Sequence, residues 1–99
     1  MRERWNVQIR GLVQGVFFRD TVRRIAARYE VHGFVRNVGT NVVEIEAEGA
    51  PNVVNAFIAD VLAHPPPGAR IDDARSKAVA VLDEAGFSVK GDLHQSIGE

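Results

Sequence analysis

Apolar residues recur along this chain with two different spacings, and the order in which those spacings alternate restricts the architecture more than any single motif. Trp5, Val7 and Ile9 alternate with Asn6, Gln8 and Arg10, the period-2 pattern of a strand with one buried face. From about Asp20 to Glu30 the period becomes helical. Val22, Ile25, Ala26 and Tyr29 fall on one stripe, with Arg23, Arg24, Ala27 and Arg28 largely off it. His32-Gly33 breaks that helix. Phe34 to Val38 and Val42 to Glu48 then predict two strands, and the short Gly39-Thr40-Asn41 connection makes them a hairpin. Pro51 opens a second helix, where its missing N–H costs nothing, and Val53, Val54, Phe57, Ile58 and Val61 give it an apolar stripe. Pro65-Pro66-Pro67 ends it. A fourth strand lies in the later half of Ile71 to Leu82, and Phe87 to Lys90 can add a short edge strand.

The order β-α-β-β-α-β, with one apolar face per strand and one apolar stripe per helix, packs as a two-layer sandwich. This is the α+β, ferredoxin-like arrangement, with an antiparallel sheet and a possible short extra edge strand. Its outward sheet face is expected to carry Asn6, Gln8, Arg10, Glu44, Glu46 and Glu48, the glutamates as solvated strand-face charges. One domain is expected over residues 1–91, followed by a polar, frayed tail over 92–99. Such a fold hosts many unrelated activities, so function has to come from particular residues.

Composition removes several classes of function. There are no cysteines, which excludes a disulfide framework, a thiolate metal site and a cysteine nucleophile. His32, His64 and His94 are far apart and lack metal-ligand spacing, so neither metal nor cofactor is expected. Ser76, Ser88 and Ser96 have no spacing that supports a nucleophilic triad. The net charge is −1 with its basic residues dispersed, which disfavours broad nucleic-acid binding. An RNA-recognition sheet shares this topology but needs exposed aromatics, whereas Trp5 shares the inward face of Val7 and Ile9. Met1-Arg2-Glu3-Arg4-Trp5 runs into alternating sequence without a signal peptide, and no run is long enough to cross a membrane. A cytoplasmic monomer is the expectation, since no unpaired apolar helix face stands out.

The informative stretch joins the first strand to the first helix: Gly11-Leu12-Val13-Gln14-Gly15-Val16-Phe17-Phe18-Arg19. Two glycines permit unusual backbone angles, while the mostly apolar remainder suits a loop tucked against the core. Successive N–H groups turning around Gly15 can form a concave anion nest, and the following helix aims its positive end at the same place. Arg19 sits at the junction, with a planar fork able to grip two phosphate oxygens. On these residues alone, a structural turn with an exposed arginine accounts for the segment slightly better. Asn37, near a turn, is in the same position, because asparagine there commonly satisfies local backbone groups.

That nine-residue stretch resembles the acylphosphatase signature, and Gly33-Phe34-Val35-Arg36-Asn37 resembles the second motif of the same family. The likeness continues through Val43-Glu44, Gly49 and Pro67-Gly68-Ala69-Arg70-Ile71, in order, up to about Val89. The resemblance implies hydrolysis of the carboxyl–phosphate anhydride of small acyl phosphates by direct attack of water, without metal or phosphoenzyme. It implies that Arg19 binds substrate phosphate, that Val13, Gln14, Gly15, Val16, Phe17 and Phe18 form the cradle, and that Asn37 orients the water. Three positions depart from the family pattern: Glu30 for a helix-ending glycine, Thr40-Asn41 for the hairpin Asp-Gly, and Asp20 after the arginine. Asn41 is expected to supply the left-handed residue of the hairpin. The chain also resembles, more distantly, the acylphosphatase-like domain of hydrogenase-maturation carbamoyltransferases, although Phe17 and Asp20 fit the free-standing enzymes better.

Overall fold

The computed structural model describes residues 1–93. Its elements are β1 (Glu3–Leu12), α1 (Phe18–Ala26), β2 (His32–Val38), β3 (Val42–Gly49), α2 (Pro51–Ala63), β4 (Arg70–Val79) and β5 (Phe87–Val89). The strands form one sheet in the order β4-β1-β3-β2-β5, with both helices on one face. Val7, Ile9, Val35, Val43, Ile45 and Ala47 meet Val22, Ile25 and Ala26 of α1 and Val54, Phe57 and Val61 of α2 in one buried cluster. Fully burying each larger aliphatic or aromatic side chain contributes roughly 1.5–3 kcal/mol. Tyr29 and Phe87 pack edge-on against Phe57, and the Tyr29 hydroxyl donates to Asp60 at 2.7 Å.

The expected extra edge strand is present, but it makes the sheet mixed rather than antiparallel. β1 pairs antiparallel with β3 and β4, and β2 with β3, whereas β5 runs parallel to β2. The reason is directional. β4 runs against β1 and finishes where β1 and β2 begin, so a strand restarting from that end must follow β2. Element limits also move. β4 begins at Arg70 because β1 is long enough to pair Leu12 with it. α1 stops at Ala26, and residues 28 and 29 bond three residues back, to Ile25 and Ala26, in a tightened last turn. Trp5 is half-buried; it faces the small residues Ala47 and Ala78 across the sheet.

The outer face corrects the expectation of solvated glutamates. Arg4, Asn6, Glu44 and Glu48 are all buried, Glu48 completely. Register explains it: Arg4 lies opposite Glu48, Asn6 opposite Glu46, and both Gln8 and Arg36 opposite Glu44. The Arg4 guanidinium binds Glu46 at 2.7 Å, Glu48 at 3.1 Å and Glu84 at 2.8 Å, and the Leu82 N–H donates to Glu48. The segment between β4 and β5 is thereby drawn over this end of the sheet. Phe34, which also faces outward, is covered by Arg4, Arg36 and Lys90 at 6.0, 5.0 and 4.1 Å from its ring centre. It offers no stacking platform.

Asp92 and Leu93, the start of the expected tail, are hydrogen-bonded to β2 and its turn. The remainder of that tail, with His94 and Ser96, lies outside the described residues.

Candidate active site

β1 and β2 flank β3 and run the same way, so the loops that leave them meet at one end of the sheet. At Gly11 the register of β1 against β4 shifts. This residue has φ +149°, and a Cβ there would sit 2.1 Å from the Arg70 carbonyl oxygen. Only glycine permits that approach, and after the shift pairing with β4 continues through Leu12 before the loop begins. Val13 and Phe18, 1% and 2% exposed, anchor the two ends of the loop in the core.

Between those anchors Gly15 and Phe17 are left-handed, at φ +73° and +60°. Alternation of this kind turns backbone N–H groups inward toward an anion. The Phe17 ring is 84% exposed, so burial does not compensate its backbone strain. Phe17 is also the N-cap of α1 and makes no side-chain cap bond. Thr21 donates the first helical bond, to Phe17, which leaves the N–H groups of Phe18, Arg19 and Asp20 without helical acceptors at the positive end of the helix.

Val13, Gln14, Gly15, Phe17, Phe18, Arg19 and Asn37 line a hollow of about 320 Å³. Val16 does not. It faces a neighbouring hollow with Pro66, Pro67 and Arg24. Gln14 lines the site, but its amide donates to the Val42 carbonyl at 2.9 Å, so the side chain pins the loop to the β2–β3 hairpin. This tie was not visible in the sequence, where Gln14 carries no periodicity. The left-handed residue of that hairpin is Gly39, at φ +61°, and not Asn41. The hairpin thus has its glycine two positions earlier than expected, and Asn37 keeps its place in regular strand.

Arg19 reaches back across the site from the first turn of α1, and its Nη1 donates to the Lys90 carbonyl at 3.1 Å. It also contacts Asp92 Oδ1 at 3.0 Å. Asn37 is 6% exposed, and its Nδ2 donates to that same Asp92 oxygen at 3.3 Å. Asp20 turns away, held by Arg23 at 2.7 Å and Arg24 at 2.9 Å. The hydrogen bond from Arg23 holds its carboxyl below the usual range. A cationic fork, an amide donor and the unpaired first-turn N–H groups of α1 beside one small hollow suit a tetrahedral oxyanion. Among the described residues no group of three or more histidine, cysteine, aspartate or glutamate side chains could hold a metal ion. A larger hollow of about 470 Å³ on the outer face is bordered by Glu44, Glu46, Arg75 and Lys77, and holds none of the residues of the signature loop.

Comparison with known proteins matches the chain to one family. The family model described as Acylphosphatase matches residues 5–89. An acylphosphatase of Pediococcus pentosaceus is 38% identical over 80 residues, covering 81% of this chain and 89% of the relative. The structure of acylphosphatase from Bacillus subtilis superposes with a TM-score of 0.82 at 30% identity, covering 91% of this chain and 99% of that one. Full-length HypF, solved in a phosphate- and nucleotide-bound form, gives 0.90 at 32% identity over 95% of this chain. The present chain spans only 12% of that protein, and 10% of a probable carbamoyltransferase HypF of Methanocaldococcus jannaschii. The two likenesses therefore stand side by side, and the second is not the more distant.

Proposed function

The chain belongs to the acylphosphatase family, and from that premise we propose how its residues divide the hydrolysis of an acyl phosphate among themselves. Arg19 and the inward N–H groups of the Val13–Phe18 loop hold the phosphoryl oxygens. Asn37 orients a water for in-line attack on phosphorus. The new P–O bond forms as the bond to the acyl oxygen breaks, and the carboxylate leaves with the electron pair. Both protons of the water remain on the phosphate, which then loses one to solvent at neutral pH. A carboxylate needs little protonation to depart, so catalysis reduces to positioning and to neutralising charge on the equatorial oxygens. Asn37 has no pKa suited to proton transfer. It acts by geometry.

The observation that carries this reading is the convergence of Arg19 and Asn37, from two different elements, on a single anionic oxygen. The substrate is a small molecule, in keeping with the size of the hollow, and the dispersed basic residues favour no nucleic-acid partner. We take the chain to act as a cytoplasmic monomer, which size-exclusion chromatography of the purified protein and cell fractionation test. No helix among the described residues is long and apolar enough to cross a membrane.

Phosphate release from benzoyl phosphate, with excess chelator present, tests the chemistry. Wild type should turn over, and Arg19→Ala and Asn37→Ala should each lose about 10²–10³ in rate while unfolding at the wild-type temperature. A well-folded wild type without turnover overturns the reading. The likeness to a probable carbamoyltransferase favours one variation, in which the same site works on carbamoyl phosphate. A kcat/KM for carbamoyl phosphate well above that for benzoyl phosphate would select it.

A further inference from the structure

The segment after β5 does more than close the sheet edge. Lys90 N–H bonds to the Val35 carbonyl at 2.9 Å, Leu93 N–H to the Asn37 carbonyl at 2.8 Å, and Gly39 N–H to the Leu93 carbonyl at 2.9 Å. Backbone hydrogen bonds therefore hold residue 92 on both sides, beside the mouth of the site. Its carboxylate lies on both of the side chains assigned to the chemistry, with one oxygen 3.0 Å from Arg19 Nη1 and 3.3 Å from Asn37 Nδ2. That oxygen takes the place that the reading above gives to an oxygen of the phosphoryl group or of the attacking water.

We propose, on the footing of that reading, that Asp92 is a specificity-determining residue: an internal carboxylate that occupies the anion position until a stronger anion displaces it. The competition is unequal in a useful way. Asp92 engages only Nη1 of Arg19, and a guanidinium has five N–H donors. A phosphoryl dianion brings twice the charge and three oxygens, so it can also use the remaining guanidinium donors and the loop N–H groups. A free carboxylate, including the product of the reaction, offers no more than Asp92 already supplies. Dianionic phosphoryl groups enter, and carboxylates are kept out. Displacement requires only a side-chain rotation, since the Asp92 side chain is 47% exposed and none of these backbone bonds has to break.

Neighbouring charges do not duplicate or cancel the effect. The Asp20 carboxylate is held by Arg23 and Arg24, and the Lys90 ammonium lies over the Phe34 ring on the outer face.

Calorimetric titration with inorganic phosphate, together with steady-state kinetics on benzoyl phosphate, tests the proposal in wild type, Asp92→Asn, Asp92→Ser and Asp20→Asn. Removing the Asp92 charge should tighten phosphate binding about 3- to 10-fold, the effect of one partly exposed charge pair. KM should fall in parallel, with kcat within about twofold, and benzoate should become a competitive inhibitor. Asp20→Asn, a nearby charge removal without contact to the site, should shift phosphate affinity less than half as much. Three results would overturn the proposal: unchanged or weaker phosphate binding in both Asp92 variants, an equal effect from Asp20→Asn, or a kcat loss at constant KM. The last would make Asp92 a positioning residue for Asn37. Phosphate affinity is read without turnover, so an enzyme that binds phosphate but hydrolyses nothing would sink the functional reading and still decide the role of Asp92.

Discussion

Two arginines at opposite ends of the sheet have opposite fates. Arg4, near the start of β1, is 1% exposed, and each of its three nitrogens binds a different carboxylate. Arg19, beyond the far end of β1, keeps a third of its side chain exposed and uses one nitrogen, on a carbonyl and a displaceable carboxylate. The residue type is the same; the number of fixed internal partners decides its use. An arginine saturated by the fold has nothing left to offer a ligand, whereas one with vacant donors is a binding group in waiting. The division also separates stability from chemistry, so each can be perturbed with little effect on the other.

The largest effect should come from the saturated arginine. Arg4→Ala would leave the Glu48 and Glu46 carboxylates without their main counter-charge, one of them fully buried. Breaking such a pair from one side costs about 3–5 kcal/mol. Denaturant unfolding should show that loss, while kcat on benzoyl phosphate stays near wild type wherever the protein remains folded. Arg19→Ala should do the reverse, with a stability change under about 1 kcal/mol, as for an exposed pair. A thermally unperturbed Arg4→Ala, or an Arg19→Ala that unfolds, would break the comparison.

Acid sharpens the same contrast. Burial pushes the Glu48 carboxyl up, but the Leu82 N–H, Arg4 and Arg2 outweigh it and hold the group below its ordinary value. Glu44 behaves alike: burial raises it, and Asn6, Arg36 and Gln8 bring it down further than that. Both carboxyls thus bind protons less readily when folded than when unfolded. Their contribution is complete above the ordinary carboxyl value of 4.5 and is lost as pH falls through the lower folded values. Glu48→Gln should cost about 1–3 kcal/mol at neutral pH, the range for disturbing a buried charged hydrogen bond, and should flatten the acid limb. An acid limb identical to wild type would place the pH dependence elsewhere.

How much of this was legible in the sequence follows from what each feature depends on. Helix stripes and strand alternation are local, so Val22, Ile25, Val54, Phe57, Val43 and Ile45 could be placed in the core from spacing alone. The turn of the loop was legible as well, because Gly11 and Gly15 report a backbone shape within a few residues, whereas the role of Arg19 came only from the family resemblance. Glu44 and Glu48 are buried against the expectation of solvated charges, since their burial depends on strands paired across the sheet and on Glu84 and Leu82 arriving from a distant loop. The parallel β5 depends on where β4 ends, which no period reveals. Asp92 was hidden for the same reason: its place beside Arg19 and Asn37 is set by the course of the chain after β5. Polar tails carry no periodicity that could announce it.

The smallest effect should lie in the loop itself. Phe17 holds a left-handed backbone, φ +60°, with its ring 84% exposed. That conformation costs a residue with a Cβ roughly 1–2 kcal/mol. Phe17→Gly removes the strain but gives back about 0.5–1 kcal/mol through the freer unfolded chain. The net expectation is a gain of about 0.5–1 kcal/mol, or about 2–8 °C in Tm for a domain of this size. Turnover should fall a few-fold, because the loop N–H groups would no longer be held in one orientation. Phe17→Ala separates the two causes: it keeps the strain and deletes the ring, so its Tm should stay near wild type. If Phe17→Ala and Phe17→Gly gained equally, the ring and not the backbone would be the source of the cost. A Tm that fell in both would show the ring stabilising the fold despite its exposure, and the loop would then rank with Arg4 and not with Arg19.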